Sequence, residues 1–153
     1  MKRKGTLAQR LLHLIRKRNA KFVSLSRVAR LPEFGGYDRA GRALRMLEKA
    51  GQLEKIARGT FLVIDHTSEP KLPRNLHWSN SDLRDPDTLI AAHVAKPRPD
   101  ELRVLAFHYG PKKVRSVLEV MEREQELSAP VINAAKRALA NIEIGFAHGA
   151  RAS

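Results

Sequence analysis

Apolar residues recur along the first third of the chain at helical spacing, then switch to short runs. Leu7, Leu11, Leu14 and Ile15 fall three and four apart, which predicts a helix over Thr6 to Arg18. Arg10, Arg16, Lys17 and Arg18 lie mostly on its other sides, either as a solvated face or along phosphates. Lys21-Phe22-Val23 reads as a short extended piece. Ser24 is a good N-cap for a helix from Leu25 to Arg30, with Leu25 and Val28 facing inward. Leu31-Pro32 stops that helix, and Glu33-Phe34-Gly35-Gly36 supplies a turn. A further helix is predicted from about Asp38 to Ala50, with Ala40, Ala43, Leu44 and Leu47 as its apolar stripe and Gly51 ending it in a left-handed conformation. Leu53 to Ile56 and Thr60 to Ile64 then read as two strands around Arg58-Gly59, although their apolar parity is imperfect.

Beyond Ile64 the pattern changes. Residues 66–84 contain two prolines and mixed charge, and predict a linker that packs down through Leu72, Leu76 and Trp78. Four helices are predicted after it. Asp85-Pro86 opens one through about Val94, using Leu89, Ile90 and Val94. Asp100 is expected to cap a second, to about Tyr109, closed by Gly110. Pro111 suits the first position of a third, to about Glu126, with Val114, Val117, Leu118 and Met121 inside. Ser128 is expected to cap the last, from Pro130 to about Phe146, burying Val131, Ile132, Ala135, Leu139 and Ile142. The expected fold is mainly α with a small β-hairpin wing. It divides into a winged helix-turn-helix over 1–65, a linker over 66–84, a helical partner or dimerisation domain over 85–147, and a frayed tail over 148–153.

Charge changes what these elements mean. The chain of 153 residues has a formal net charge of +13. Residues 1–65 hold 16 Lys and Arg against 5 Asp and Glu, a net of +11, whereas residues 66–153 hold 13 against 11. The basicity belongs to the first module and points to a polyanion partner. The nearly neutral, apolar-striped helices point instead to protein contact, either a homodimer or another partner. Cysteine is absent, which excludes disulfides, thiolate catalysis and cysteine zinc sites. No apolar run approaches the length needed to span a bilayer, and MKRKG followed by a charge-interrupted helix is a poor signal peptide. The expected location is cytoplasmic, away from membranes.

The candidate chemistry sits on the third helix and the hairpin. Arg39, Arg42 and Arg45 recur every three residues, and guanidinium forks meet guanine edges or pairs of phosphate oxygens. Tyr37 at the helix entry suits a phosphate, and Lys55 and Arg58 lie where a wing flanks a groove. The alternative for these cations is an ordinary solvated surface. Gly41, inside the helix, either allows a close backbone approach or is a tolerated surface glycine. The six histidines form no HExxH-like pair, so no metal or other cofactor is expected, and His93 and His108 read as core or capping groups. The acid run Glu119, Glu122, Glu124 and Glu126 lies on a periodic helix and reads as a solvated face. With no phosphate-binding glycine loop and no GxSxG serine, nothing points to an enzyme.

The VSLSRVARL helix, the RAGRALRMLEKAGQLEKI helix-to-strand run and the ARGTFLV wing end resemble the N-terminal winged-helix domain of AbiEi-type antitoxins and related mobile-element regulators. The string DPDTLIAAHVAKPRPDELRVLAFHYGPKKVRSVLEVME resembles helical segments of proteins paired with nucleotidyltransferase toxins. The resemblance implies an antitoxin that binds double-stranded DNA, represses its own operon and neutralises a cognate toxin of the nucleotidyltransferase type. DNA-reading roles carry over to Tyr37, Arg39, Arg42 and Arg45, and to Lys55 and Arg58 on the wing. The chain is too short to hold the larger C-terminal domain of the longer antitoxins. Two other readings use the same basic module: an RNA-binding accessory protein or another winged-helix regulator of a mobile element, and an interaction protein whose basic face meets an acidic partner.

Overall fold

The structure is a computed structural model that describes residues 5–64, 70–72 and 85–152. Most of the linker expected over 66–84, with Leu76 and Trp78, lies outside the described residues. The protein is mainly helical with one small three-stranded antiparallel sheet. It divides into two compact units, residues 1–64 with 147–153, and residues 65–146.

In the first unit the element order is α1 (Leu7–Lys17), β1 (Phe22–Ser24), α2 (Leu25–Ala29), α3 (Tyr37–Lys49), β2 (Leu53–Ala57) and β3 (Thr60–Val63). Thr6 starts α1 through a reciprocal cap. Its hydroxyl accepts from the Gln9 backbone N–H at 3.2 Å, and the Gln9 side chain accepts from the Thr6 N–H at 2.9 Å. Ser24 caps α2 as expected, accepting from the Arg27 N–H. The strands run in the order β1-β3-β2, so the early piece Phe22–Ser24 pairs with the last strand, Phe22 opposite Leu62 and Ser24 opposite Thr60.

The imperfect parity of the hairpin has a physical cause. Lys55 pairs with Phe61 and Ala57 with Thr60, leaving Ile56 as an extra residue in a bulge. An inserted residue shifts the alternation of faces by one, so the apolar pattern slips there.

The core of this unit joins Leu11 and Ile15 of α1, Val28 of α2, the α3 stripe Ala40, Ala43, Leu44 and Leu47, and Leu53 and Phe61 from the sheet. Phe34 departs from its reading as a turn residue, because it is 0% exposed. The turn folds inward through the Phe34 N–H to Leu31 carbonyl bond of 3.0 Å, which drops the ring among the helices. Full burial of a ring that size contributes about 1.5–3 kcal/mol. Gly36 then begins α3 at φ +122, a backbone setting that a side chain rarely adopts.

The second unit contains α4 (Pro86–Val94), α5 (Pro99–Tyr109), α6 (Pro111–Arg123) and, through Phe146, α7 (Ala129–Ala152). Asp85 caps α4 by accepting from the Thr88 N–H at 3.1 Å. Asp100 does not cap α5. Pro99 takes the first helical position, where its missing N–H costs nothing, and Arg98 becomes the cap residue without a side-chain bond. Helix α6 ends at Arg123 rather than Glu126, because Gln125 turns left-handed at φ +56 and the Glu126 N–H bonds back to the Met121 carbonyl. Helix α7 continues to Ala152, past the expected end at Phe146. No proline interrupts the helix there, and alanines at 147, 150 and 152 favour its continuation. Leu89, Ile90, Leu102, Leu105, Leu118 and Leu139 are among the unit's buried core residues.

Candidate nucleic-acid interface

The outward face of α3 follows from its inward one. With Ala40, Ala43, Leu44 and Leu47 buried, the opposite side of the helix must carry Arg42 and Lys49 at its centre, since seven residues are close to two full turns. Arg39 and Arg45 stand on the two shoulders, about 120° apart around the axis. All four cations are exposed, and Met46, 55% exposed, lies among them. Lys49 was not singled out in the sequence, although its spacing of four from Arg45 and seven from Arg42 marks the same stripe.

The two shoulders have different neighbours. A Cβ built on Gly41 would lie 3.9 Å from Leu25 Cδ1, so the shoulder that carries Gly41 faces α2. Tyr37 and Arg45, each four residues from Gly41, continue that row. Tyr37 is 62% exposed and, by helical spacing, falls on the Gly41 row rather than on the central stripe. A Cβ on Gly35 would lie 3.8 Å from Arg39 Nη1, so Arg39 reaches back over the turn before the helix. The three arginines thus form a spread of about 120°, not one line.

The hairpin reaches the same neighbourhood through Leu25. The Leu25 N–H, at the start of α2, donates to the Gly59 carbonyl at 2.8 Å. A Cβ on Gly59 would lie 3.7 Å from the Leu25 Cβ. Leu25 therefore sits between the Gly41 side of α3 and the hairpin tip, where the exposed Arg58 precedes Gly59. Gly59 is at φ +70, which the two-residue turn requires and which glycine adopts without strain. Lys55 is exposed on β2, one residue before the bulge. Ordinary van der Waals distance at Gly41 favours the tolerated-glycine reading, because the approach to Leu25 leaves room for a methyl group.

Among the described residues none of Arg39, Arg42, Arg45, Lys49, Lys55 and Arg58 has an ion-pair partner. Asp38 lies one turn before Arg42 on the same face, and still makes no ion pair with it. The surface can therefore offer several full positive charges to an external anion.

A second polar cluster lies in the other unit, and its acid was not anticipated. His93 Nδ1 of α4 hydrogen-bonds the Glu101 carboxylate of α5, both side chains being 0% exposed. Arg98 Nη1 adds a longer contact of 3.7 Å to the other carboxylate oxygen. Glu101 falls three residues after the helix cap, and nothing local distinguishes it from a solvated first-turn acid. The enclosure closes the pair to substrate, so it ties two helices together. On α6, Glu122 meets Lys136 of α7 at 2.6 Å; Glu124 and Glu126 lie past the helix end, off the helical face expected for the acid run, and the Glu124 hydrogen bond holds the Glu126 carboxyl above the usual carboxylate range.

Among the described residues no three His, Asp or Glu side chains gather to hold a metal ion, and no helix is long and apolar enough to cross a membrane. No protein-family model, curated protein or solved structure matches this chain.

Proposed function

We propose that the first unit is a winged helix-turn-helix that binds double-stranded DNA, with α3 in the major groove and the β2–β3 hairpin beside it. One observation carries this reading: the exposed cations of α3 and the hairpin make no ion pair among the described residues, although Asp38 shares their face. Arg42, Arg45 and Lys49 are the base- and phosphate-facing groups, Arg58 and Tyr37 flank the groove, and Arg39 and Lys55 supply outer phosphate contacts. Helix-turn-helix recognition requires a helix whose outer stripe is free along its length, and α3 meets that requirement over 13 residues. The autoregulatory antitoxin role, with a nucleotidyltransferase-type toxin as partner, extends this proposal and rests on the sequence resemblance alone.

Binding of the full chain to duplex DNA, followed by fluorescence anisotropy across a salt series, tests the reading. With about four phosphate contacts the logarithm of affinity falls against log salt with a slope near −4. A flat salt dependence, or equal competition by A-form RNA whose deep major groove excludes a helix, removes it. The antitoxin extension is tested separately by co-expression with the product of the neighbouring gene. Toxicity that this chain fails to relieve would count against it.

A further inference from the structure

Helices α1 and α2 and strand β1 leave an apolar groove of about 180 Å³ open between them. Its floor is made by Leu14 and Ile15 of α1, Phe22 and Val23 of β1, and Val28 and Leu31 on and after α2. No residue of α3 lines it. Arg18, the C-cap residue of α1, and Arg27 of α2 stand in its wall, and both are exposed. Lys17, Lys21 and Arg30, next to these elements in sequence, are exposed as well, and no acidic residue lines the groove.

The dimensions and the charge constrain what fits. A dry cavity of about 150 Å³ admits a benzene ring, so this groove has room for one aromatic or branched aliphatic side chain. Bare phosphate does not suit such a floor, because an apolar wall offers it no hydrogen bonds. An apolar anchor with carboxylates around it does suit it, since anchors in desolvated pockets carry most of an interface's energy and the rim charges steer the encounter. The net charge of +11 over residues 1–65 attracts acidic chains from a distance.

We propose that this groove docks an acidic amphipathic segment of a partner protein, seating one large apolar side chain on Ile15, Val23 and Val28 with a carboxylate against Arg18. No residue of α3 lines the site, so it differs from the arginine face.

Methyl-resolved NMR of the full chain, titrated with a synthetic helical peptide bearing Phe and Leu on one face and Glu on the other, tests this. Saturable shifts are expected at the methyls of Leu14, Ile15, Val23 and Val28. Arg18→Glu is expected to weaken the peptide roughly tenfold, through one lost contact and one new repulsion of similar size. Replacing Phe and Leu of the peptide by Ser is expected to weaken it at least ~tenfold, because the anchor's burial is lost. Arg42→Ala with Arg45→Ala is expected to leave peptide affinity unchanged. The proposal is overturned by shifts confined to α3 and the hairpin, by equal binding of the Ser peptide, or by no shift at all. Laurate moving the same methyls while the peptide does not would also overturn it, by assigning the groove to a small anionic amphiphile.

Discussion

In the second unit Lys113 lies 2.7 Å from Asp87, Lys136 lies 2.6 Å from Glu122, and Arg115 meets Glu143. On α3 of the first unit, Arg39, Arg42, Arg45 and Lys49 are just as exposed and have no such partners among the described residues. Both regions are built from amphipathic helices with buried apolar stripes, so folding alone does not account for the difference. Exposed ion pairs contribute only about 0–1 kcal/mol each, which means the second unit gains little stability from its pairs. What the pairs do is cancel charge locally. The outer face of α3 leaves these four charges without an ion pair among the described residues and accepts mutual repulsion among them, a cost that an external polyanion would relieve. The contrast localises the unpaired positive charge to one helix face, more sharply than net charge does.

Five measurements break or sharpen this contrast. The largest effect is expected at the buried pair: Glu101→Ala leaves His93 enclosed without its acid and should cost about 3–5 kcal/mol in chemical denaturation. A loss under about 1 kcal/mol would mean the pair is not a structural tie. Next, Arg42→Ala combined with Arg45→Ala should weaken duplex DNA by about 2 kcal/mol or more, near thirtyfold, if each arginine contributes at least ~1 kcal/mol. The same double variant should unfold within about 0.5 kcal/mol per site of the parent, as expected of free surface positions. Retained tight binding would dismiss α3 as the reading element.

Gly59→Ala places a side chain at φ +70 and should destabilise by about 1–2 kcal/mol, visible as a lower melting temperature. Gly41→Ala should act in the other direction. The methyl meets Leu25 at ordinary contact distance, so the gain in helix propensity stabilises by up to about 1 kcal/mol. A destabilised Gly41→Ala variant would show that α2 and α3 pack too closely there for the assigned geometry.

The smallest effect concerns Glu126, whose carboxyl is held above its ordinary range by the hydrogen bond with Glu124. A raised acid pKa in the folded state means the folded chain holds its proton to higher pH than the unfolded chain. The associated stability is therefore present at low pH and is lost as pH rises from the ordinary carboxylate value through the raised one. Glu124→Gln should move the Glu126 titration, followed by carboxyl-carbon NMR. An unmoved titration would separate the two side chains.

Much of the architecture was legible in sequence because burial direction repeats with the period of each element. Ala40, Ala43, Leu44 and Leu47 announced the inner face of α3, and the exposure of its arginines followed by elimination. Ser24, Asp85 and Gly110 marked helix boundaries because caps act on neighbouring backbone groups. Where two local signals competed, at Pro99 against Asp100, the proline won because its φ is already helical.

Sequence alone determined which elements exist, which faces they bury, and that the excess positive charge belongs to residues 1–65. Only the tertiary structure decided that Phe34 fills the core and that Ile56 bulges from the hairpin. It also decided that His93 meets Glu101 across a helix break, and that Leu25 joins the hairpin tip to one shoulder of the arginine helix. The physical reason is common to all of them. Periodicity reports a side chain's direction from its own axis, whereas these outcomes depend on which second element arrives on that side and how closely it packs.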